Sequence, residues 1–193
     1  MDLLLTFGRT MAFSLAAGVN LYATVAIIGL AARYEWVTLP ESYQGFAHPW
    51  VIGVALVLYA VEFVADKVPW VDSAWDAVHT VVRPLGAALI AVASIGDASP
   101  LTTTLVALAG GTVAAGSHLT KAGTRVAVNA SPEPFSNWAL SFGEDAFVVG
   151  LGLLALKFPL AALAVTGLAL LAIGLVARWI WTTLRKPRLL DSA

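Results

Sequence analysis

The sequence predicts an all-α membrane protein of about six transmembrane helices, with a candidate inverted repeat of three helices plus three. Three observations predict it. The 193 residues are 59% hydrophobic and only 12% charged, where an ordinary soluble domain carries about 25% charge. The apolar residues gather into six stretches, most of them near the roughly 20 residues that span a bilayer. Lys and Arg then fall unevenly on the two sides that six crossings define. A soluble chain of this length has no core large enough to hide so much apolar surface, so a mean hydropathy of +0.83 places it in lipid.

The elements follow in order. The first apolar segment covers residues 10–32. Arg9 precedes it, and the start Met1-Asp2-Leu3 lacks the basic opening of a cleaved signal peptide, so it reads as a retained helix. The stretch from Pro40 to His48, flanked by Trp36 and Trp50, reads as a loop at a membrane interface, where Trp is favoured. The second helix covers residues 50–66. Residues 68–79 follow, with Val71, Trp75, Val78 and Val82 on one helical stripe and Asp72, Asp76, His79 and Arg83 on the next. This is an interfacial helix or an extension of the third span, whose apolar core is 81–95 and which Pro84 kinks. Ser99-Pro100 caps and opens the fourth helix, 101–119. Gly110-Gly111 makes that helix the expected broken or closely packed one. Residues 129–134 form a loop rich in Pro. The fifth helix covers 138–156. Phe158-Pro159 then opens the sixth, 160–183.

With both termini cytoplasmic, that side holds Arg9, Lys67, Arg83, Lys121, Arg125, Arg178, Arg185, Lys186 and Arg188. The other side holds Arg33 and Lys157, nine against two, as the positive-inside rule requires. The chain is one membrane domain, 1–193. Ala16-Ala17-Gly18-Val19-Asn20-Leu21 echoes Ala114-Ala115-Gly116-Ser117-His118-Leu119, and Pro84-Leu85-Gly86-Ala87 echoes Pro159-Leu160-Ala161-Ala162. These echoes suggest halves 1–97 and 98–193. If helices one and four cross at Gly18 and Gly116, Asn20 and His118 meet near the centre.

Charged groups in lipid are costly, so those inside spans are candidates for function. The expected solute or ion pathway comprises Asn20, Glu62, His118, Glu144 and Asp145. A second set, Asp66, Lys67, Asp72, Asp76, His79, Arg83, Lys121 and Arg125, reads as a cytoplasmic polar cluster near water. In that set an interfacial pairing of Asp66 and Lys67 with Arg83 is expected. Glu144 is open to a structural role beside Lys121, Arg125 or Asn137, and His118 to titration near neutral pH. A net charge of −1 gives no field for nucleic acid. With no Cys, disulfides, thiol catalysis and Cys-ligated metals are excluded. No Walker loop, dinucleotide fingerprint, HExxH or nucleophile elbow occurs, so no cofactor or metal is expected and an enzyme is disfavoured.

Several of these residues together resemble a known family. Ala17-Gly18-Val19-Asn20-Leu21-Tyr22, Ala65-Asp66-Lys67-Val68-Pro69 with Asp72 and Asp76, and Arg83-Pro84-Leu85-Gly86-Ala87 are similar to an uncharacterised bacterial integral-membrane family, domain of unknown function 4126. The likeness extends over nearly the whole chain. It implies a multi-spanning protein of a bacterial inner membrane and no particular activity. The expected function is a transporter or channel for a small solute or ion, working in the bilayer alone or as a homodimer. The alternative is a scaffold or assembly subunit that binds a membrane partner. A lipid-acting enzyme using Asp66, Asp72, Asp76 and His79 ranks third.

Overall fold

The computed structural model describes residues 3–130 and 135–184. Part of the loop expected at 129–134, and Arg185, Lys186 and Arg188 in the basic count, lie outside the described residues. Among the described residues there are seven α-helices and no strand: α1 Leu3–Val19, α2 Leu21–Arg33, α3 Pro49–Ala65, α4 Pro69–Ile95, α5 Pro100–Asn129, α6 Phe135–Lys157 and α7 Pro159–Leu184. A short 3₁₀ turn, Glu41–Gly45, lies between α2 and α3.

Local chemistry sets most of the starts. Proline occupies the first turn of α3, α4, α5 and α7, where its missing N–H would be unpaired anyway. His48 caps α3 by accepting from the Trp50 N–H, and Ser99 caps α5 by accepting from the Thr102 N–H. Gly96 ends α4 at φ +63°, ψ −140°, a conformation open essentially to glycine alone. Two expectations resolve at once. Residues 69–95 are one helix that runs through Pro84, and α5 runs unbroken through Gly110-Gly111. Gly110 is instead a close contact, pressed against Ala91 and Ser14.

The broken segment is the first. Residues 10–32 are not a single helix: Asn20 leaves the helical region at φ −147°, ψ 102° and separates α1 from α2. The two helices fold back on each other, and α6 measures this. Asp145 lies against Asn20. Gly152 lies against Ile27. Ala155 and Leu156 accept from Arg9, and Pro159 abuts Gly8. Moving up α6 from Asp145 therefore meets α2 in rising order and α1 in falling order. Gly152 lies about 10 Å above Asp145 at 1.5 Å per residue, and Ile27 lies the same distance along from Asn20. A continuous helix would put Arg9 and Ile27 on opposite sides of Asn20. The hairpin α1–α2 thus enters from one end of the bundle, turns at Asn20 and returns.

This hairpin is the centre of the molecule. Every residue from Gly8 to Val19 is buried, and α1 packs against α4, α5, α6 and α7 while α2 packs against α3 and α6. Gly18 allows the closest approach: a Cβ there would run into Ser117 Oγ and the Ala114 backbone. The crossing with α5 therefore lies at Ala114 and Ser117. Gly116 faces open space and is not part of the crossing, contrary to the expectation.

Two topological corrections follow. The hairpin returns to the end it came from, so Leu3 and Leu184 lie at opposite ends of the bundle, and the even count behind two cytoplasmic termini does not hold. α1 and α5 also run side by side in the same direction, with Ser14 beside Gly110 and Val19 beside Lys121. An inverted repeat would make the two echoing segments antiparallel. The second echo pairs α4 with α7, which do run in opposite directions, so no single symmetry relates both.

The distribution of side chains is inside out relative to a soluble protein. Arg83, Glu62, His118 and Arg125 are among the fully buried side chains, while Leu85, Leu89, Leu108, Leu168 and Trp179 are exposed. Among the described residues, three helices are long and apolar enough to cross a membrane: α4, α6 and residues 159–183 of α7. The protein is helical and embedded in a membrane.

Candidate functional site

The hairpin tip ends against a cluster of charges. Its charged and polar side chains come from the last turn of α3 and the link after it (Glu62, Asp66, Lys67), α4 up to its middle (Asp72, Asp76, His79, Arg83), the second half of α5 (His118, Lys121, Arg125) and the first half of α6 (Asn137, Ser141, Glu144, Asp145). Helical spacing explains the convergence. Asp72, Asp76, His79 and Arg83 recur every three or four residues, as do His118, Lys121 and Arg125, so each helix turns one charged stripe inward.

Arg83 is the hub nearest the hairpin. It pairs with Glu62 at 2.8 Å and Asp76 at 3.2 Å, and it reaches the Gly18 carbonyl at 3.5 Å. Lys121 pairs with Glu62 at 3.3 Å, Asp66 at 3.1 Å and Glu144 at 3.5 Å, and donates to the Val19 carbonyl. Arg125 pairs with Asp66 at 3.0 Å, binds both Glu144 oxygens, and donates to Asn137 Oδ1 at 2.8 Å and the Asp66 carbonyl. Two cations thus meet the carbonyl end of α1, where the helix dipole is negative. Inside an apolar bundle this satisfies carbonyls that no further helical turn serves.

Asn20 closes the other half of the turn. Its Oδ1 accepts the Ala23 N–H at 2.9 Å and caps α2, while its Nδ2 points to Asp145 Oδ1 at 3.5 Å. Asn20→Ser keeps a capping oxygen and is expected to melt within ~0.5 kcal/mol of wild type, whereas Asn20→Ala is expected to lose about 1 kcal/mol. Thermal unfolding of the two variants in one detergent checks this, and equal melting would remove the cap from the account.

The histidines are fixed by their neighbours. Arg83 donates to His118 Nδ1 at 2.6 Å, and a guanidinium has no acceptor, so that nitrogen is bare and Nε2–H faces Thr80 Oγ1 at 3.1 Å. Taking a second proton at Nδ1 would expel Arg83, which sets aside the expectation of a freely titrating His118. His79 holds its proton at Nδ1, donated to the Trp75 carbonyl at 2.7 Å, and faces the Tyr22 hydroxyl through Nε2 at 2.9 Å. Trp75 stacks on its ring at 4.6 Å.

The two sets of residues expected from the sequence therefore form one network. Asp66, Asp72, Asp76, Lys121 and Arg125 do not reach into water; each is at most 5% exposed, because partners within the bundle draw them inward, on other helices for all but Asp76, which pairs with Arg83 of its own helix. The expected pairing of Arg83 with Asp66 and Lys67 is replaced by Glu62 and Asp76. Asn20 and His118 share the site but have different partners. Glu144 and Asp145 diverge: Glu144 turns to α5 and its cations, Asp145 to the hairpin. Sequence reasoning missed Tyr22, Thr80, Asn129 and Ser141, which bond His79, His118, Asp72 and Lys67 respectively. For Thr80, Asn129 and Ser141 a charged residue within one turn was the available signal; Tyr22 has none within a turn.

The cluster holds six carboxylates, Glu62, Asp66, Asp72, Asp76, Glu144 and Asp145, against four cations, Lys67, Arg83, Lys121 and Arg125. Glu62, Asp66, Asp72 and Asp145 each retain a buried oxygen without a hydrogen-bond partner. Such an excess favours a cation. Beside the cluster, a cavity of about 280 Å³ opens between α5, α6 and α7, its lining mostly apolar but including Lys121, Glu144, Thr120 and Thr124.

Residues 8–180 match the model of a family described as Domain of unknown function (DUF4126). No curated protein and no solved structure matches the chain.

Proposed function

The chain belongs to the DUF4126 family, and from that premise we propose that it is a small transporter for a cationic solute or ion. It would cross the bilayer five times, through α3 to α7, with α1–α2 as a re-entrant hairpin. One observation carries the reading: two helix ends stop inside an apolar bundle, and they stop at an acid-rich cluster. Backbone ends at membrane depth are tolerated where they are buried in protein or line a solute site, and discontinuous helices at such a site are a recurrent transporter device. A scaffold needs close helix contacts and has no use for unpaired carboxylate oxygens at the centre. The cavity beside Lys121 and Glu144 supplies lateral access. Lys67, Arg83, Lys121, Arg125 and Arg178 lie toward the cluster end, and Arg9, Arg33 and Lys157 toward the other, which favours a cytoplasmic cluster end. The membrane we propose is a bacterial inner membrane.

Reconstitution tests this. Liposomes carrying the wild-type protein are challenged with gradients of protons, alkali cations and small organic cations, with an internal pH dye and isotope uptake as readouts. Flux above empty liposomes, lost in Asn20→Leu with the fold retained, is expected. Wild-type liposomes that match empty ones for the whole panel would exclude transport.

A further inference from the structure

We propose that Asp145 is a proton-exchange site at the hairpin tip, with Lys67 as the counter-ion that receives the carboxylate when the proton leaves. The proposal rests on the transporter reading and names the ion to which movement is coupled.

Glu62, Asp66, Asp76 and Glu144 each have a guanidinium or ammonium within 4 Å. Asp72 has no such cation, but Asn129 donates to it at 2.7 Å and it lies in the first turn of α4, where the dipole favours an anion. Asp145 has neither. It is 9% exposed, its Oδ1 has only the 3.5 Å contact from Asn20, and its Oδ2 has no hydrogen-bond partner. An ionised carboxylate left thus in an apolar bundle is costly, and a bound proton removes the cost. The Asn20 amide suits both forms, because its Oδ1 is committed to Ala23 and only its donor faces the carboxyl.

Lys67 reaches the α6 turn that precedes Asp145. Its ammonium sits over the Phe63 ring at 3.1 Å, donates to the Phe63 carbonyl at 2.7 Å and reaches Ser141 Oγ at 3.3 Å. Ser141 precedes Asp145 by four residues, on the same face of α6. Burial pulls the Lys67 ammonium below the usual lysine range, against the opposite pull of Asp145 and Asp66. On ionisation, the Asp145 O–H bond breaks, the proton passes to water at the cluster end, and the ammonium moves from Ser141 toward the carboxylate. The groups that act on Asp145 are Glu62 and Tyr59 from α3, Asp66 and Lys67 from the link, Lys121 from α5 and Asn20 from the hairpin. Among the described residues no group of three or more His, Asp or Glu side chains is placed to hold a metal ion, whereas a proton needs one oxygen.

Dicyclohexylcarbodiimide tests the site without a known solute, because it adds to protonated carboxyls in apolar surroundings. Purified protein in micelles is treated across a range of pH, and modified peptides are read by mass spectrometry. We expect addition at Asp145, rising as pH falls, and none at Glu62, Asp66 or Glu144. In Lys67→Met, labelling at alkaline pH should rise several-fold, since the ionised form loses its counter-ion. No addition at Asp145 at any pH, labelling equal at Glu144, or protection by sodium ions would each overturn the proposal. Labelling without liposome flux would keep the proton site and remove the transporter; flux without labelling would do the reverse.

Discussion

Arg125→Ala is expected to destabilise the folded protein by about 3–5 kcal/mol, the cost of leaving buried charges without their partner. Arg125 is 1% exposed and ties three elements together: it holds Asp66 at the end of α3, and both Glu144 and Asn137 on α6. Without it, Asp66 and Glu144 share Lys121 alone. The measurement is the melting temperature in detergent, with the monodisperse fraction as a second readout. Arg125→Gln combined with Glu144→Gln should recover part of the loss, since the pair is removed together and the coupling of the cycle reports its strength. A single variant that melts like wild type would mean that the network contributes little to the fold.

Arg83→Leu should be as damaging, again about 3–5 kcal/mol, and for a different reason. Arg83 is fully buried and joins α4 to Glu62 on α3, to His118 on α5 and to the Gly18 carbonyl at the hairpin tip. Its loss strands Glu62 with Lys121 only and removes a cation from the carbonyl end of α1. Arg83→Leu with Glu62→Leu should restore much of the stability, because an apolar pair replaces an ion pair of similar volume. The same double variant should stay inactive in liposomes. Restored stability together with restored flux would show that these two charges have no part in the pathway.

Both predictions concern residues that single-sequence reasoning singled out, and the reason is physical. A charge inside an apolar segment is conspicuous, so Glu62, His118, Glu144 and Asp145 stood out against their neighbours. Partnership was less legible. Asp66, Arg83, Lys121 and Arg125 read as water-facing because each lies near the end of an apolar run, and a lone helix offers those positions only solvent or headgroups. Neighbouring helices offered them carboxylates and guanidinium groups instead. Asp145 differs from Glu144 by one position, yet about 100° of helical rotation sends one to the hairpin and the other to α5.

The sequence by itself determined the class and the punctuation. Excess apolar surface requires lipid, and proline at the helix starts marks where α3, α4, α5 and α7 begin. The tertiary structure alone decided that residues 3–33 are a hairpin. Hydropathy is the same on both sides of Asn20, so it does not distinguish a helix that crosses from one that turns back. The turn is stable because Arg83 and Lys121 meet the carbonyls of α1 and Asp145 faces the Asn20 amide, groups 65 to 125 residues away along the chain.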